Sequence, residues 1–212
     1  MSETVIQVSS LGKRIKGKTI LEDISFEINQ GDCVALIGPN GAGKTVLMSC
    51  ILGDKKTSSG QVLIEGKAGK AKNQIAVLLQ ENTIPNSLKV EELIAFFQVI
   101  SDNPLTNQEV QNLLRFKEDQ YQQFADKLSG GQRRLLAFVL CLIDKPQILF
   151  LDEPTAGMDT STRQRFWEIV NDLKKAGTTI LYSSHYIEEV EHTADRILVL
   201  HQGKLIRDTT PY

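Results

Sequence analysis

Short apolar runs rich in β-branched residues alternate along this chain with longer stretches in which apolar residues recur at helical spacing. Eight runs have the length and the flanking turns of strands: Ile6–Val8, Ile20–Ile28, Cys33–Ile37, Gln61–Ile64, Ile75–Leu79, Ile148–Leu151, Thr179–Tyr182 and Ile197–Leu200. A further strand-like run, Gly203–Ile206, lies near the end of the sequence. Because helical patterns separate several of these runs, the sequence predicts an α/β sheet.

Two helices are predicted from periodicity and from their caps. Ser129 and Asp159 are plausible N-cap residues, since their side-chain oxygens can accept hydrogen bonds from the first free N–H groups of a helix. Apolar residues then follow at i, i+3, i+4 and i+7, as Leu135, Phe138, Val139 and Leu142 after Ser129 and as Phe166, Ile169, Val170 and Leu173 after Asp159. Gly177 is the expected C-terminal end of the second helix.

The segment Val90–Phe124 has a different character. It is rich in Gln and Asn, contains no strand-like run, and spaces its apolar residues as short helices do. We interpret it as a helical insertion into the α/β sheet.

Composition and charge narrow the class of protein. The 212 residues correspond to one or two domains, and 41% hydrophobic with 24% charged residues is typical of a globular chain. A net charge of -2 disfavours nucleic acid as a partner. The longest apolar run, Leu135–Ile143, is too short to cross a bilayer, and the acidic start of the chain lacks the features of a secretory signal.

The cysteines bear on the redox environment in which the protein works. Cys33, Cys50 and Cys141 are odd in number and far apart in sequence, so they predict neither a disulfide framework nor a zinc site. A reducing cytoplasm is the expected environment.

The clearest chemical motif is Gly38-Pro39-Asn40-Gly41-Ala42-Gly43-Lys44-Thr45, which fits the phosphate-loop pattern G-x-x-x-x-G-K-[ST] between a predicted strand and a helical pattern. We expect its three glycines to adopt positive φ, so that backbone N–H groups can approach phosphate. Lys44 would reach the β- and γ-phosphates, and the Thr45 hydroxyl would bind magnesium. The alternative is a Gly-rich turn without a ligand.

A pair of acids, Asp152 and Glu153, ends the apolar strand Ile148–Leu151. Such a pair can place one carboxylate on a metal and the next beside the attacking water of phosphoryl transfer. Alternatively, both are solvated acids at the end of a strand.

The pentapeptide Leu128-Ser129-Gly130-Gly131-Gln132 begins the first predicted helix. With this motif the chain, from about Val5 to Ile206, resembles the nucleotide-binding domain of ATP-binding cassette (ABC) proteins. The resemblance implies a P-loop NTPase (RecA-like) core with an antiparallel β subdomain and a small inserted helical subdomain. It places the core and the β subdomain at residues 1–79 and 128–212, and the helical subdomain at residues 80–127.

The resemblance also implies roles for single residues. Ser129, Gly130, Gly131 and Gln132 would bind the γ-phosphate held by the phosphate loop of a second subunit. Gln80 resembles the glutamine that contacts magnesium and the lytic water, and His185 resembles the histidine that contacts the γ-phosphate. Glu153 would polarise the water, and Asp152 would hold magnesium through its water shell.

Two positions leave questions open. Asp159 lies where the family places a loop between subunits, so it is expected to cap the following helix, to face the opposite subunit, or to do both. Ile15 stands where the family usually has an aromatic residue that stacks on adenine. Its aliphatic side chain is a departure that could weaken ATP binding or its selectivity over GTP.

The resemblance implies a magnesium-dependent ATPase that works as a head-to-tail dimer, either a homodimer or a paired cassette. A separate transmembrane permease is the expected partner, with the chain cytoplasmic and peripheral at the inner face of the cell membrane. An export system is favoured by the short insertion and by Ala156-Gly157-Met158-Asp159. The stretch Tyr121–Lys127 departs from the pattern of exporters with fused membrane domains and favours a permease on a separate chain. The length corresponds to one minimal cassette, or to a chain trimmed to that size. Two alternatives remain, a non-transport ABC ATPase of translation or DNA repair and a catalytically silent nucleotide-binding module.

Overall fold

The computed structural model describes residues 3–64, 75–80, 84–85 and 87–211. The strands are β1 (Thr4–Ile15), β2 (Lys18–Asn29), β3 (Cys33–Ile37), β4 (Ser59–Ile64), β5 (Ile75–Leu78), β6 (Ile148–Leu151), β7 (Thr179–Ser184), β8 (Arg196–His201) and β9 (Lys204–Thr209). The α-helices are α1 (Lys44–Ile51), α2 (Val90–Ile100), α3 (Asn107–Leu114), α4 (Glu118–Gln122), α5 (Gly130–Leu142), α6 (Thr160–Lys175) and α7 (Ile187–Thr193). A short 3-10 helix, Ala125–Lys127, precedes α5.

The central sheet has six strands in the order β5-β6-β7-β3-β8-β9. The first five strands are parallel, and β9 joins the edge antiparallel to β8. The α/β prediction is therefore confirmed. Because β5, β6, β7 and β3 run in one direction, the segments that follow them all leave the sheet at the same edge.

Both faces of this sheet are covered, as expected for parallel strands. Successive side chains of β3 alternate between two hydrophobic clusters, with Cys33 and Ala35 in one and Val34 and Leu36 in the other. The first cluster includes Phe138 of α5 and Phe166 of α6, whose ring centroids lie 4.4 Å apart. The second contains the buried apolar residues of α1 and the inner faces of β1 and β2.

A second sheet is antiparallel and has the order β2-β1-β4. The β1–β2 hairpin turns at Lys16 and Gly17, which both have positive φ, as a two-residue hairpin turn requires. The predicted strand Ile6–Val8 was too short, because β1 continues through a polar stretch to Ile15. Pairing with β2 along its length and with β4 on its other side supports a stretch that the hydrophobic pattern alone does not mark as a strand.

The two helices predicted from periodicity are confirmed. Ser129 caps α5 by accepting a hydrogen bond from the Gln132 N–H, and Asp159 caps α6 by accepting from the N–H groups of Ser161 and Thr162. The predicted apolar positions of α5 are buried, and Gly177 follows the end of α6 with a φ of 90°.

The inserted segment is helical, as predicted. Helices α2, α3 and α4 lie within it, and a single antiparallel bridge between Lys89 and Phe124 joins its two ends. Val90, Leu93 and Val110 belong to the same hydrophobic cluster as α5, so the insertion packs directly on that helix. The limits 80–127 stay a prediction, and residues 81–83 and 86 lie outside the described residues.

In the described part of the chain, no helix combines the length and the hydropathy needed to span a membrane.

Candidate functional site

The glycine-rich loop connects β3 to α1, as its pattern predicts. Gly41 and Gly43 have φ of 80° and 107°, which favours glycine because a side chain would clash with the backbone. The expectation of positive φ at Gly38 was wrong. Gly38 is needed for another reason, since a Cβ there would lie 2.1 Å from the carbonyl oxygen of Leu200.

Lys44 is held tightly at this loop. Its Nζ donates hydrogen bonds to the carbonyl oxygens of Gly38 at 2.8 Å and of Pro39 at 3.4 Å, and the residue is only 5% exposed. Thr45 follows on the first turn of α1 and is exposed. The N–H groups at the start of this helix and the ammonium group together form a site suited to phosphate.

Three of the predicted residues meet around the Glu153 carboxylate. Lys44 Nζ lies 3.8 Å from Oε1, His185 Nδ1 lies 3.6 Å from Oε1, and Gln80 Nε2 donates to Oε2 at 3.4 Å. The Glu153 side chain is 14% exposed, whereas that of His185 is 41% exposed. The structure thus brings together residues from the ends of β5, β6 and β7 and the start of α1.

The backbone at Glu153 is strained, with a φ of 45° in the left-handed region that non-glycine residues rarely adopt. Ser183 supports this conformation. Its Oγ accepts a hydrogen bond from the Glu153 N–H at 2.9 Å and donates to Asp152 Oδ1 at 2.5 Å. Ser183 and Asp152 are both almost fully buried, so one hydroxyl fixes both members of the acidic pair.

Away from Glu153, the His185 side chain contacts the neighbouring Tyr186. The centroids of the two rings lie 4.1 Å apart, and the guanidinium of Arg163, a residue of α6, lies 5.2 Å from the centroid of the Tyr186 ring. Arg163 Nε also pairs with Glu189 of α7 at 3.4 Å. These contacts connect the histidine to the helix that Asp159 caps.

The pentapeptide Leu128-Ser129-Gly130-Gly131-Gln132, called the signature from here on, lies outside the cluster around Glu153. Ser129 and Gln132 form a reciprocal capping box, in which Gln132 Oε1 accepts from the Ser129 N–H while Ser129 Oγ accepts from the Gln132 N–H. Ser129 and Gly130 are exposed, and Gly131 is buried beside Asp159. No hydrogen bond within the described residues joins the signature to the phosphate loop of the same chain.

Asp159 is firmly engaged as a cap. It accepts hydrogen bonds from the N–H groups and the hydroxyls of Ser161 and Thr162, and these bonds hold the pKa of its carboxyl well below the usual range. The capping expectation is confirmed, and contact with an opposite subunit stays a prediction. Ile15 lies 37% exposed at the end of β1.

Two residues at the site were missed from the sequence, Ser183 and Arg134. A polar residue at the end of a buried strand beside an acidic pair is a usable signal for Ser183, because a buried hydroxyl needs hydrogen-bond partners. Among the described residues, the hydrogen bonds of the Arg134 guanidinium go to backbone carbonyl oxygens, and the identity of a residue does not predict such bonds.

Known proteins resemble this chain over most of its length. A family model described as ABC transporter matches residues 21–156. The chain is 33% identical to the Nod factor export ATP-binding protein I of Rhizobium etli, over 100% of this chain and 70% of that protein. It is also 33% identical to the linearmycin resistance ATP-binding protein LnrL of Bacillus subtilis, over 95% of this chain and 68% of that protein.

Solved structures give the same result. An ATP-binding subunit of an ABC transporter superposes with a TM-score of 0.85 at 27% identity, covering 97% of this chain and 90% of that one. A dimeric ATP-binding cassette bound to ADP and Pi in a post-hydrolysis state superposes with a TM-score of 0.84. Its coverage is 98% of this chain and 99% of that one, and at 20% identity it supports the fold alone.

We predict that Ser183→Ala impairs turnover more than it impairs nucleotide binding. Loss of the hydroxyl leaves the partly buried Glu153 N–H without its acceptor, which should lower the free energy of unfolding by about 1–3 kcal/mol. Displacement of the carboxylate should lower the hydrolysis rate by up to about 100-fold. Single-turnover hydrolysis and titration with a fluorescent ATP analogue measure the two effects separately.

Thr179→Val is the matched control. Thr179 is a buried residue at the opposite end of β7, where its hydroxyl accepts from the Gly31 N–H at 3.0 Å. Its loss should destabilise the protein comparably and leave the hydrolysis rate unchanged. Equal effects of the two substitutions on turnover would contradict the role given to Ser183.

Proposed function

This chain belongs to the ABC transporter family of ATP-binding cassettes, and from that premise we propose that it powers an export system through a separate membrane permease. As in the family, it binds and hydrolyses ATP. The single observation that best supports a catalytically active subunit is the convergence of Lys44, Gln80 and His185 on the Glu153 carboxylate. A silent module would have no need of this arrangement.

We assign the chemistry to the residues of this cluster. Glu153 accepts the proton of the attacking water, and the Gln80 amide, which contacts Glu153, helps to orient that water. Lys44 and His185 stabilise the negative charge that develops on the transferred phosphoryl group. The backbone N–H groups between Gly38 and Gly43 and the start of α1 hold the phosphates in place.

The available donors fit a magnesium ion bound together with the nucleotide. The hydroxyl of Thr45 and the amide oxygen of Gln80 are hard oxygen ligands of the kind that Mg²⁺ prefers, and the carboxylate of Asp152 would hold the ion through its water shell. No group of three or more His, Cys, Asp or Glu side chains among the described residues could hold a metal alone. This matches an ion that takes few protein ligands and shares substrate phosphates. When bound, the ion would neutralise charge on the β- and γ-phosphates.

We predict that Glu153→Gln abolishes turnover while ATP stays bound. The amide keeps the shape of the side chain and cannot accept the proton, so hydrolysis should fall by about 10²- to 10⁴-fold. Phosphate release and retention of radiolabelled ATP measure the two properties. Glu191→Gln on the exposed side of α7 is the control and should behave as wild type. Hydrolysis by Glu153→Gln at the wild-type rate would remove Glu153 as the base.

We further propose that two cassettes form the complete site. The exposed N-terminus of α5 carries Ser129 and Gly130, and its N–H groups and positive end suit a phosphate. Such a phosphate would come from the phosphate loop of a second cassette, in the head-to-tail arrangement. Each site would then combine Gly38–Thr45 and Glu153 of one chain with Ser129–Gln132 of the other.

Gly130→Ala tests this dimer. Apart from the adjoining residues and the backbone of its own helix, no heavy atom of the described residues lies within 4 Å of a Cβ on Gly130, so folding and ATP binding by the monomer should be unaffected. The added methyl group would obstruct close approach of a second chain's phosphate. Losing one or two hydrogen bonds to a charged group, at about 1.5–3 kcal/mol each, lowers ATP-dependent dimerisation at least about tenfold.

Dimerisation is measured by light scattering in the Glu153→Gln background. Gly131→Ala is the contrasting variant, because its Cβ would lie 3.3 Å from Asp159 Oδ2 and from Met158 Cα of the same chain. It should perturb the monomer as well. Wild-type dimerisation and turnover by Gly130→Ala would contradict the shared site.

The permease contact is proposed on the inserted helices. On α2, which follows Gln80 in the sequence, Phe96, Val99 and Ile100 are 55%, 84% and 61% exposed and form an apolar surface. A permease segment that packs there would place the chain at the inner face of the cell membrane.

We predict that Val99→Asp prevents recovery of the chain with a multi-span membrane protein from detergent extracts, because a buried unpaired carboxylate is costly. Ile206→Asp on β9, 61% exposed, is the control and should preserve recovery. Sedimentation of the wild-type chain with ribosomes or DNA, in place of a membrane protein, would favour the non-transport alternative. Identical recovery of both variants would remove α2 as the contact.

A further inference from the structure

The side chain of Arg134 crosses from α5 to the loops that carry the catalytic residues. Its guanidinium donates hydrogen bonds to the carbonyl oxygens of Leu79, of Gln80 at 3.2 Å, of Asp152 at 3.0 Å, of Glu153 at 3.5 Å and of Pro154 at 3.2 Å. These five acceptors belong to only two segments, one directly after β5 and the other directly after β6.

Burial of this cation has a cost that the carbonyl oxygens offset. Arg134 is half-buried, and desolvation lowers the pKa of its guanidinium from the usual value. A guanidinium presents its donors in a rigid planar fork, which allows it to bond several acceptors on two sides at once. A lysine ammonium is a compact point charge and cannot span the same two segments.

The two bridged segments need to be fixed relative to each other. Gln80 and Glu153 meet at 3.4 Å between Nε2 and Oε2, so a small shift of either segment separates them. The Glu153 backbone is also strained. Ser183 supports its N–H group, while Arg134 bonds the carbonyl groups on both sides of the residue, those of Asp152 and Pro154.

We propose that Arg134 is a positioning residue for hydrolysis, which ties the Gln80 segment and the Glu153 segment to the helix that begins with the signature. Arg134 does not touch the reacting atoms and acts through the backbone of the two residues that do. Because α5 starts at Gly130, a movement of the signature helix would be transmitted through the hydrogen bonds of Arg134 to the backbone that carries the catalytic carboxylate. This inference rests on the proposed function of Glu153 as the base.

The test compares Arg134→Lys and Arg134→Gln with the wild-type chain. Both should bind a fluorescent ATP analogue with unchanged Kd, since the phosphate loop is untouched, and both should lower kcat by about 10- to 100-fold with little change in KM. Retention of the positive charge in Arg134→Lys should not restore kcat, because the fork geometry is what bridges the two segments.

Arg196→Gln is the matched control. Arg196 is a partly buried arginine at the amino end of β8, opposite the catalytic edge, where it donates to the Glu27 carbonyl at 2.5 Å and pairs with Asp208. Its loss should lower Tm without lowering kcat. The Arg134 variants should differ from it by losing kcat at temperatures where circular dichroism shows both proteins fully folded.

Three outcomes would overturn the proposal: wild-type kcat in Arg134→Gln, full recovery of kcat in Arg134→Lys, or a parallel loss of ATP affinity and kcat. Glu153→Gln is measured in the same assay. If it abolishes hydrolysis while Arg134→Gln does not, the inference about Arg134 fails and the proposed function stands. If Glu153→Gln hydrolyses ATP at the wild-type rate, the proposed role of Glu153 as the base fails, and the inference about Arg134 that rests on it fails as well.

Discussion

The parallel alignment of four strands is the constraint on which the rest of the molecule depends. In the order β5-β6-β7-β3, every strand runs in the same direction, so every following segment leaves the sheet at one edge. Gln80 follows β5, Glu153 follows β6, His185 follows β7, and Lys44 follows β3 through the glycine-rich loop. The order of the strands across the sheet thus becomes the order of the groups across the site, with the acidic pair between the Gln80 amide on one side and the side chains of His185 and Lys44 on the other.

This alignment brings the side chains close together, and backbone hydrogen bonds then fix them. The left-handed φ of Glu153 is unfavourable by itself and persists only because its surroundings hold it. The Ser183 hydroxyl holds the peptide group before Glu153, and the Arg134 guanidinium holds the carbonyl groups around it. The two hydrophobic clusters that cover the faces of the sheet keep the strand ends rigid enough for these bonds to form.

Much of this arrangement could be predicted from the sequence, because the predicted features are local. The phosphate loop is one contiguous motif, and α5 and α6 are each predicted by a cap residue followed by apolar residues at helical spacing. Features that depend on contacts between distant parts of the sequence were harder to predict. The polar second half of β1 is a strand because of its partners β2 and β4, and Gly38 is required because Leu200, distant in sequence, approaches its backbone. Contacts from Arg134 to carbonyl oxygens depend on tertiary structure and leave no residue pattern.

The signature caps α5, and the role that we propose for it adds phosphate binding as a second task for the same residues. Ser129 uses its hydroxyl oxygen to accept from the Gln132 N–H, which stabilises the start of α5. A hydroxyl that accepts in this way still has its own hydrogen to donate, so the cap does not consume the group that a phosphate needs. Asp159 differs, because its carboxylate is an acceptor only and four donors of α6 already surround it. An ionised carboxylate repels phosphate, and its best use beside Gly131 is to keep the neighbouring backbone rigid where a second chain would approach.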